Sequence, residues 1–160
     1  MGAVLLAGLA CTPDDPSAAR PVFRHLGTAR GEIRLGAALD HVWLSLEPAA
    51  AIVSLPRGVV TGAQSVSVRR DADGRVREIM LNYEQSTDFR AQVARYRREL
   101  GPPALHDRPA DPEAAERVAW RDARTTFELV RDPRRSVSTV YGRLSDREVE
   151  GRPGPSGAGE

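Results

Sequence analysis

The sequence predicts an α+β fold: an antiparallel sheet of about four to six strands with two amphipathic helices on one face. Three observations carry that expectation. Two apolar stripes recur at helical spacing, Leu35–Leu39–Val42–Trp43–Leu46 and Phe89–Val93–Tyr96–Leu100. Period-two alternation flanks a strong turn at Asp71-Ala72-Asp73-Gly74. Three further strand-like runs follow the second stripe, separated by Asp-led turns.

The first stripe places a helix over Ala37–Leu46, entered through the turn glycine Gly36 and ended by Pro48. Ala51–Leu55 is a short apolar run stopped by Pro56 and reads as a strand. Gln64–Arg70 puts Val66 and Val68 on one face. Arg75–Tyr83 returns from the turn with Ile79, Leu81 and Tyr83 on one face. Ser86 or Thr87 caps the second helix, with Asp88 in its first turn; Gly101 and Pro102-Pro103 end it. Residues 104–115 read as a polar connection with a brief helical turn at Asp111-Pro112-Glu113. Strands are expected at Arg117–Arg121, Thr125–Arg131 and Ser136–Leu144, with Trp120, Phe127 and Leu129 in the core. Each half of the chain reads as helix then hairpin, a faint internal repeat of about 50 residues.

Organisation along the chain follows composition. Residues 1–11, MGAVLLAGLAC, form an apolar leader, too short to span a bilayer. Residues 12–30 read as a linker with a loosely docked segment, 31–146 as a single domain, and 147–160 as a Gly/Pro-rich disordered tail. The chain of 160 residues is long enough to bury one core without a metal or disulfide staple.

Several function classes are excluded by composition. All 23 basic residues are arginine, so a Schiff-base lysine, a phosphate-loop lysine and a Ser–Lys dyad are absent. Net charge is +1 and aromatics are 5%, which gives neither the field nor the stacking platform of a nucleic-acid binder. Cys11 is the single cysteine, so no intrachain disulfide or cysteine-based zinc cluster forms.

His25, His41 and His106 lie in different elements, and no pair has metal-ligand spacing. Asp71, Asp73 and Gly74 resemble the start of a calcium loop, but Arg75 and Arg77 occupy ligand positions, and a hairpin turn explains them. Ser65, Ser67 and Ser138 lack an elbow motif. Arg90, Arg95, Arg97 and Arg98 make one helix face basic, with Arg69-Arg70 and Arg134-Arg135 adding pairs; a solvated face accounts for them. No catalytic residue, metal ligand, cofactor or small-molecule substrate is assigned.

An apolar run, one cysteine, and the polar Thr12-Pro13-Asp14-Asp15-Pro16-Ser17 resemble a bacterial lipoprotein signal. The resemblance implies that the leader is removed and Cys11 is acylated, anchoring the protein in a lipid bilayer. Gly8 stands where such signals carry a bulky apolar residue, and the first basic residue is Arg20. The alternative is a buried first strand, Val4–Leu9, with Cys11 an inert core thiol and a cytoplasmic location.

Ile33-x-Leu35-Gly36, followed by Asp40, Val42 and a closing proline, resembles the opening of the BamE/SmpA group of outer-membrane lipoproteins. The pattern Val76-x-x-Ile79, Tyr83, Phe89, Tyr96, Leu100-Gly101-Pro102 and Trp120-x-Asp122-x-x-Thr125 is similar to related helix-plus-hairpin modules, including beta-lactamase-inhibitor-like domains. The resemblance spans residues 31–144, with Ala37 in place of the usual Met after the entry glycine. It implies a non-enzymatic envelope protein that scaffolds or binds another protein. A soluble periplasmic or secreted inhibitor and a small hydrolase are the rival expectations.

Overall fold

The computed structural model describes residues 21–28, 30–39, 50–136 and 138–147. The sheet is larger than the sequence suggests and the helical share smaller. Strands β1 (His25–Thr28) and β2 (Gly31–Arg34) form an antiparallel pair. Strands β3 (Ile52–Leu55), β4 (Ala63–Arg70) and β5 (Val76–Tyr83) precede helix α1 (Phe89–Leu100). Strands β6 (Leu105–Asp107), β7 (Glu116–Arg121), β8 (Thr125–Arg131) and β9 (Val140–Asp146) follow it. The seven-stranded sheet has the order β3-β4-β5-β9-β8-β7-β6, antiparallel throughout. Two meanders are thus joined where β9 returns beside β5.

The expected α+β fold of four to six strands beneath two helices is therefore corrected. The protein is mostly β, with sheets of two and seven strands and one complete helix among the described residues. The expected helix Ala37–Leu46 lies, from residue 40 on, outside the described residues. Its first residues are not helical: Ala38 bridges Arg75, Gly36 N–H donates to Val76 O, and Val76 N–H donates to Ala37 O. Leu35 and Leu39 are buried as the apolar stripe suggests. A crossing loop over the start of β5 buries them just as a helix face would, so the four-residue spacing alone does not distinguish the two.

Two strands arise where the sequence reads as connection. β1 falls in the segment read as linker, and β6 falls within the polar stretch 104–115. Neither carries apolar alternation; β6 is wholly exposed and is held by its backbone ladder to β7. The fold also reaches back past residue 31, because Val22 is buried in the core.

The hairpin β4–β5 turns at Asp71–Gly74 as expected. Gly74 adopts φ 75, and Asp71 Oδ1 accepts the Asp73 and Arg75 amides at 3.0 and 2.9 Å. Helix α1 is capped by Asp88 itself rather than Ser86 or Thr87; its carboxylate accepts from the Arg90 and Ala91 amides. Gly101 ends it at φ 80 with its N–H on Arg97 O.

The core is centred where α1 meets β7 and β8. Phe127 is fully buried, with ring centroids 5.1 Å from Phe23, 4.5 Å from Tyr96 and 5.9 Å from Trp120. Trp120 and Tyr83 meet their polar needs inside: Trp120 Nε1 donates to Gly101 O at 3.0 Å, and the Tyr83 and Tyr96 hydroxyls lie 2.7 Å apart. Phe23 brings the N-terminal arm onto this cluster, which fixes where the chain enters the fold.

Candidate functional site

Two polar clusters stand out, and neither is legible in local sequence. The first surrounds Glu116 at the start of β7. Glu116 is nearly buried, and its Oε1 lies 3.0 Å from His106 Nε2 and 3.5 Å from Arg108 Nε. Arg131 Nε approaches Oε2 at 3.6 Å. Glu116, Arg108 and Arg131 border a cleft of about 490 Å³ that also meets the start of α1 at Asp88 and Arg90. Burial pushes the Glu116 pKa up. The His106 hydrogen bond and the charges of Arg108, His106 and Arg131 outweigh it, so the carboxyl sits below its ordinary range. A carboxylate held ionised by neighbouring cations is a poor proton donor. No hydroxyl nucleophile is hydrogen-bonded to His106 among the described residues.

The second cluster lies where the N-terminal arm docks. Asp122 opens the β7–β8 turn. Its Oδ2 accepts the Val22 amide at 2.8 Å, and its Oδ1 accepts the Arg124 and Thr125 amides at 2.8 Å each. Burial raises the Asp122 pKa, but these three amide donors and the Arg24 charge lower it further, to a net position below the usual range. Arg24 then reaches across: Nη1 donates to Thr125 Oγ1 at 2.8 Å and Nη2 to Asp146 Oδ2 at 3.1 Å. Arg77 Nη1 stands 4.0 Å from the same Oδ2 and donates through Nε to Asp71 Oδ2 at 2.7 Å. Asp146 is almost buried, and its Oδ1 has no hydrogen-bond partner among the described residues. The open cleft above them is about 570 Å³ and is lined by Arg24, His25, Arg34, Arg77, Arg124 and Asp146, with Leu35, Gly36 and Ala37 completing its wall.

The residues singled out in the sequence are dispersed. Cys11 and His41 lie outside the described residues. His25 pairs with Glu32 at 3.5 Å and His106 with Glu116, on separate sheets. Among the described residues no group of three His, Cys, Asp or Glu side chains could hold a metal ion. The Asp71 carboxylate is fully used by its turn and Arg77. Ser138 Oγ lies against Tyr83 O and Val140 O at 2.7 and 2.6 Å, a buried structural hydroxyl, and Ser65 accepts from Asn82. On the basic helix face Arg95 is paired with Glu99 at 2.9 Å. Arg69 faces Glu78 at 3.9 Å, and Arg135 stacks 4.2 Å over the Tyr141 ring.

Sequence reasoning missed Glu116, Arg24, Asp122 and Asp146. Arg24 and Asp146 are 122 residues apart, so no spacing rule could join them. The one available signal was Asp122, whose place before Ala-Arg-Thr marks it as a turn-capping carboxylate.

The sheet edges add a separate observation. Among the described residues the large hydrophobic side chains left exposed are Ile52, 54% accessible on β3, and Leu105, 41% accessible on β6. These are the two end strands of the seven-stranded sheet as described. No helix among the described residues is long and apolar enough to cross a membrane. Comparison with known proteins yields no family model, curated protein or solved structure that matches this chain.

Proposed function

We propose that this chain is a non-enzymatic binding module of the bacterial envelope, exported by residues 1–11, anchored in the bilayer through Cys11, and holding a protein partner along its sheet edges. The placement of Ile52 and Leu105 carries the binding half of the reading. Edge strands offer unpaired N–H and C=O groups, and folded proteins usually guard them with charge or proline. Here charge and proline flank each edge, with Asp107-Arg108-Pro109 on β6 and Pro56-Arg57 after β3, yet each also presents one large aliphatic side chain, the pairing of backbone ladder and apolar contact that strand addition uses. The Glu116 cluster supports a non-catalytic role, because its carboxylate and imidazole are spent on each other and on Arg108 and Arg131. The location half rests on the apolar leader, Cys11 and the polar linker.

One experiment addresses both halves. The full chain is expressed with its leader in a bacterial host, carrying a photo-crosslinking residue at position 52, at 105, or at exposed Arg97 of α1 as a control. The wild-type protein should enter the membrane fraction with an acylated Cys11 by intact mass, and Cys11→Ala should release it. Position 52 or 105 should crosslink to a discrete partner that position 97 does not reach, and Asp at the crosslinking edge (Ile52→Asp or Leu105→Asp) should abolish it. A wholly cytosolic protein with an uncut N-terminus would overturn the anchoring. Crosslinks that survive both Asp substitutions would overturn the edge site.

A further inference from the structure

We infer that the arginine-lined cleft beside the N-terminal arm is an anion site that takes a phosphate group. The inference deepens the envelope reading, on which the membrane source of that phosphate rests. Charge supplies the first argument. Besides Arg24, Arg34, Arg77 and Arg124, two more guanidiniums adjoin the cleft: Arg75 donates to Gly36 O and Arg147 to Asp122 O. Among the described residues six guanidiniums therefore stand against four carboxylates, Glu32, Asp71, Asp122 and Asp146. Arg75, Arg124 and Arg147 have no carboxylate partner among the described residues.

Geometry supplies the second argument. Arg24 is held by Thr125 and Asp146, and Arg77 by Asp71, so neither has to be ordered when a ligand arrives. The wall between them is Gly36 and Ala37, and a Cβ at Gly36 would already sit 3.9 Å from Arg24 Nη2. Beside this wall the Arg24 and Arg77 side chains keep 24% and 28% of their surface exposed while holding their partners. Planar forks match phosphate oxygens two at a time, which a single point charge does not.

Position supplies the third. Val22 is pinned to Asp122, so the segment leading into β1 runs beside this cleft. Residue 21 lies ten residues after Cys11, a reach of about 35 Å when fully extended. An acylated Cys11 would keep the cleft within range of phospholipid headgroups. A free phosphate ion offers the same chemistry without the membrane.

The test uses the full chain carrying Cys11→Ser, so that no acyl chain contributes. Co-sedimentation compares neutral phosphatidylcholine vesicles with vesicles containing 30% phosphatidylglycerol, roughly the anionic content at which a basic patch discriminates. Neutral vesicles report any contribution from the apolar leader. Inorganic phosphate is titrated separately by calorimetry. Preference for anionic vesicles of about tenfold or more is expected, lost at high salt and lost in Arg34→Gln/Arg124→Gln. The control Arg90→Gln/Arg97→Gln, on the exposed face of α1, should retain it. The urea midpoint of each variant verifies folding. Phosphate binding without vesicle preference, equally sensitive to Arg34→Gln/Arg124→Gln, assigns the site to the free ion. Neither binding, or binding that the cleft variant leaves intact or the helix variant removes equally, overturns the site. The Cys11 acylation measurement is independent, so failure of the anchor and failure of the cleft are told apart.

Discussion

Gly142→Ala tests the packing of the sheet against its aromatic core. Gly142 sits in the middle of β9, paired with Leu81 on β5 and Leu129 on β8. A Cβ there would lie 3.0 and 3.2 Å from Phe127 Cε2 and Cζ and 3.4 Å from the Tyr83 hydroxyl. Its φ is not in the left-handed region, so the backbone tolerates alanine and the cost is purely one of space. Phe127 has little room to yield, because Phe23, Tyr96 and Trp120 surround its ring. Overpacking of this kind costs about 1–3 kcal/mol. Restricting the unfolded chain returns about 0.4–1 kcal/mol. A net loss of about 1–2 kcal/mol follows, which lowers a urea midpoint by roughly 0.5–1.5 M at ordinary m-values. The assay is equilibrium urea unfolding, repeated in a Phe127→Leu background. With the ring removed the added methyl has somewhere to go, so Gly142→Ala should cost measurably less there. Equal or greater stability of Gly142→Ala, or a cost unchanged by Phe127→Leu, would refute the reasoning.

Three other predictions address the arm, the tryptophan and the buried tyrosines. Asp122→Ala removes the acceptor of three amides and should cost about 1–3 kcal/mol, with the Val22 amide losing hydrogen-exchange protection before the β8 amides do. Protection of Val22 equal to wild type would show that Phe23 alone holds the arm. Trp120→Phe leaves the buried Gly101 carbonyl without its indole donor and opens space beside Tyr96; a loss of about 2–3 kcal/mol in chemical denaturation is expected. Burial, then the adjacent Tyr96, pushes the Tyr83 phenol far above its ordinary pKa, and burial also raises that of Tyr96. A raised folded pKa means the native state keeps protons that the unfolded state releases, so stability is intact below about pH 10 and falls as pH rises beyond it. Tyr96→Phe should flatten that alkaline decline in urea midpoints measured from pH 8 to 11.5; an unaltered slope would count against the buried pair as its source.

Several sheet-forming segments are legible in the residues because they rest on local causes. Asp71 and Gly74 make their turn from their own backbone and side-chain bonds, and β8 spans Thr125–Arg131 as expected between its two Asp-led turns. The stripe of α1 works for the same reason, with Phe89, Tyr96 and Leu100 all buried on one side. The expectation of two helices fails where the local pattern has two solutions. Leu35 and Leu39 can be buried by a helix face or by a loop bridged to β5, and only the position of Val76 and Arg75 selects the loop over residues 36–38. β6 escapes detection because its three residues bury no side chain, and its existence depends on β7 lying alongside.

The candidate sites divide in the same way. The apolar run before Cys11 and the polar run after it are properties of the chain alone, and so is the absence of lysine, which leaves arginine as the only fixed side-chain cation in the sequence. Which arginines gather is decided by the fold. Arg24 meets Asp146 across 122 residues because β9 returns beside β8, and Asp122 pins the arm that carries Arg24 onto the same corner. Hydrophobic periodicity encodes which face of a strand is buried, but the order of strands in the sheet emerges only when the core closes. That order, not any motif, brings Glu116 to His106, gathers the arginines at one cleft, and leaves Ile52 and Leu105 on the open edges.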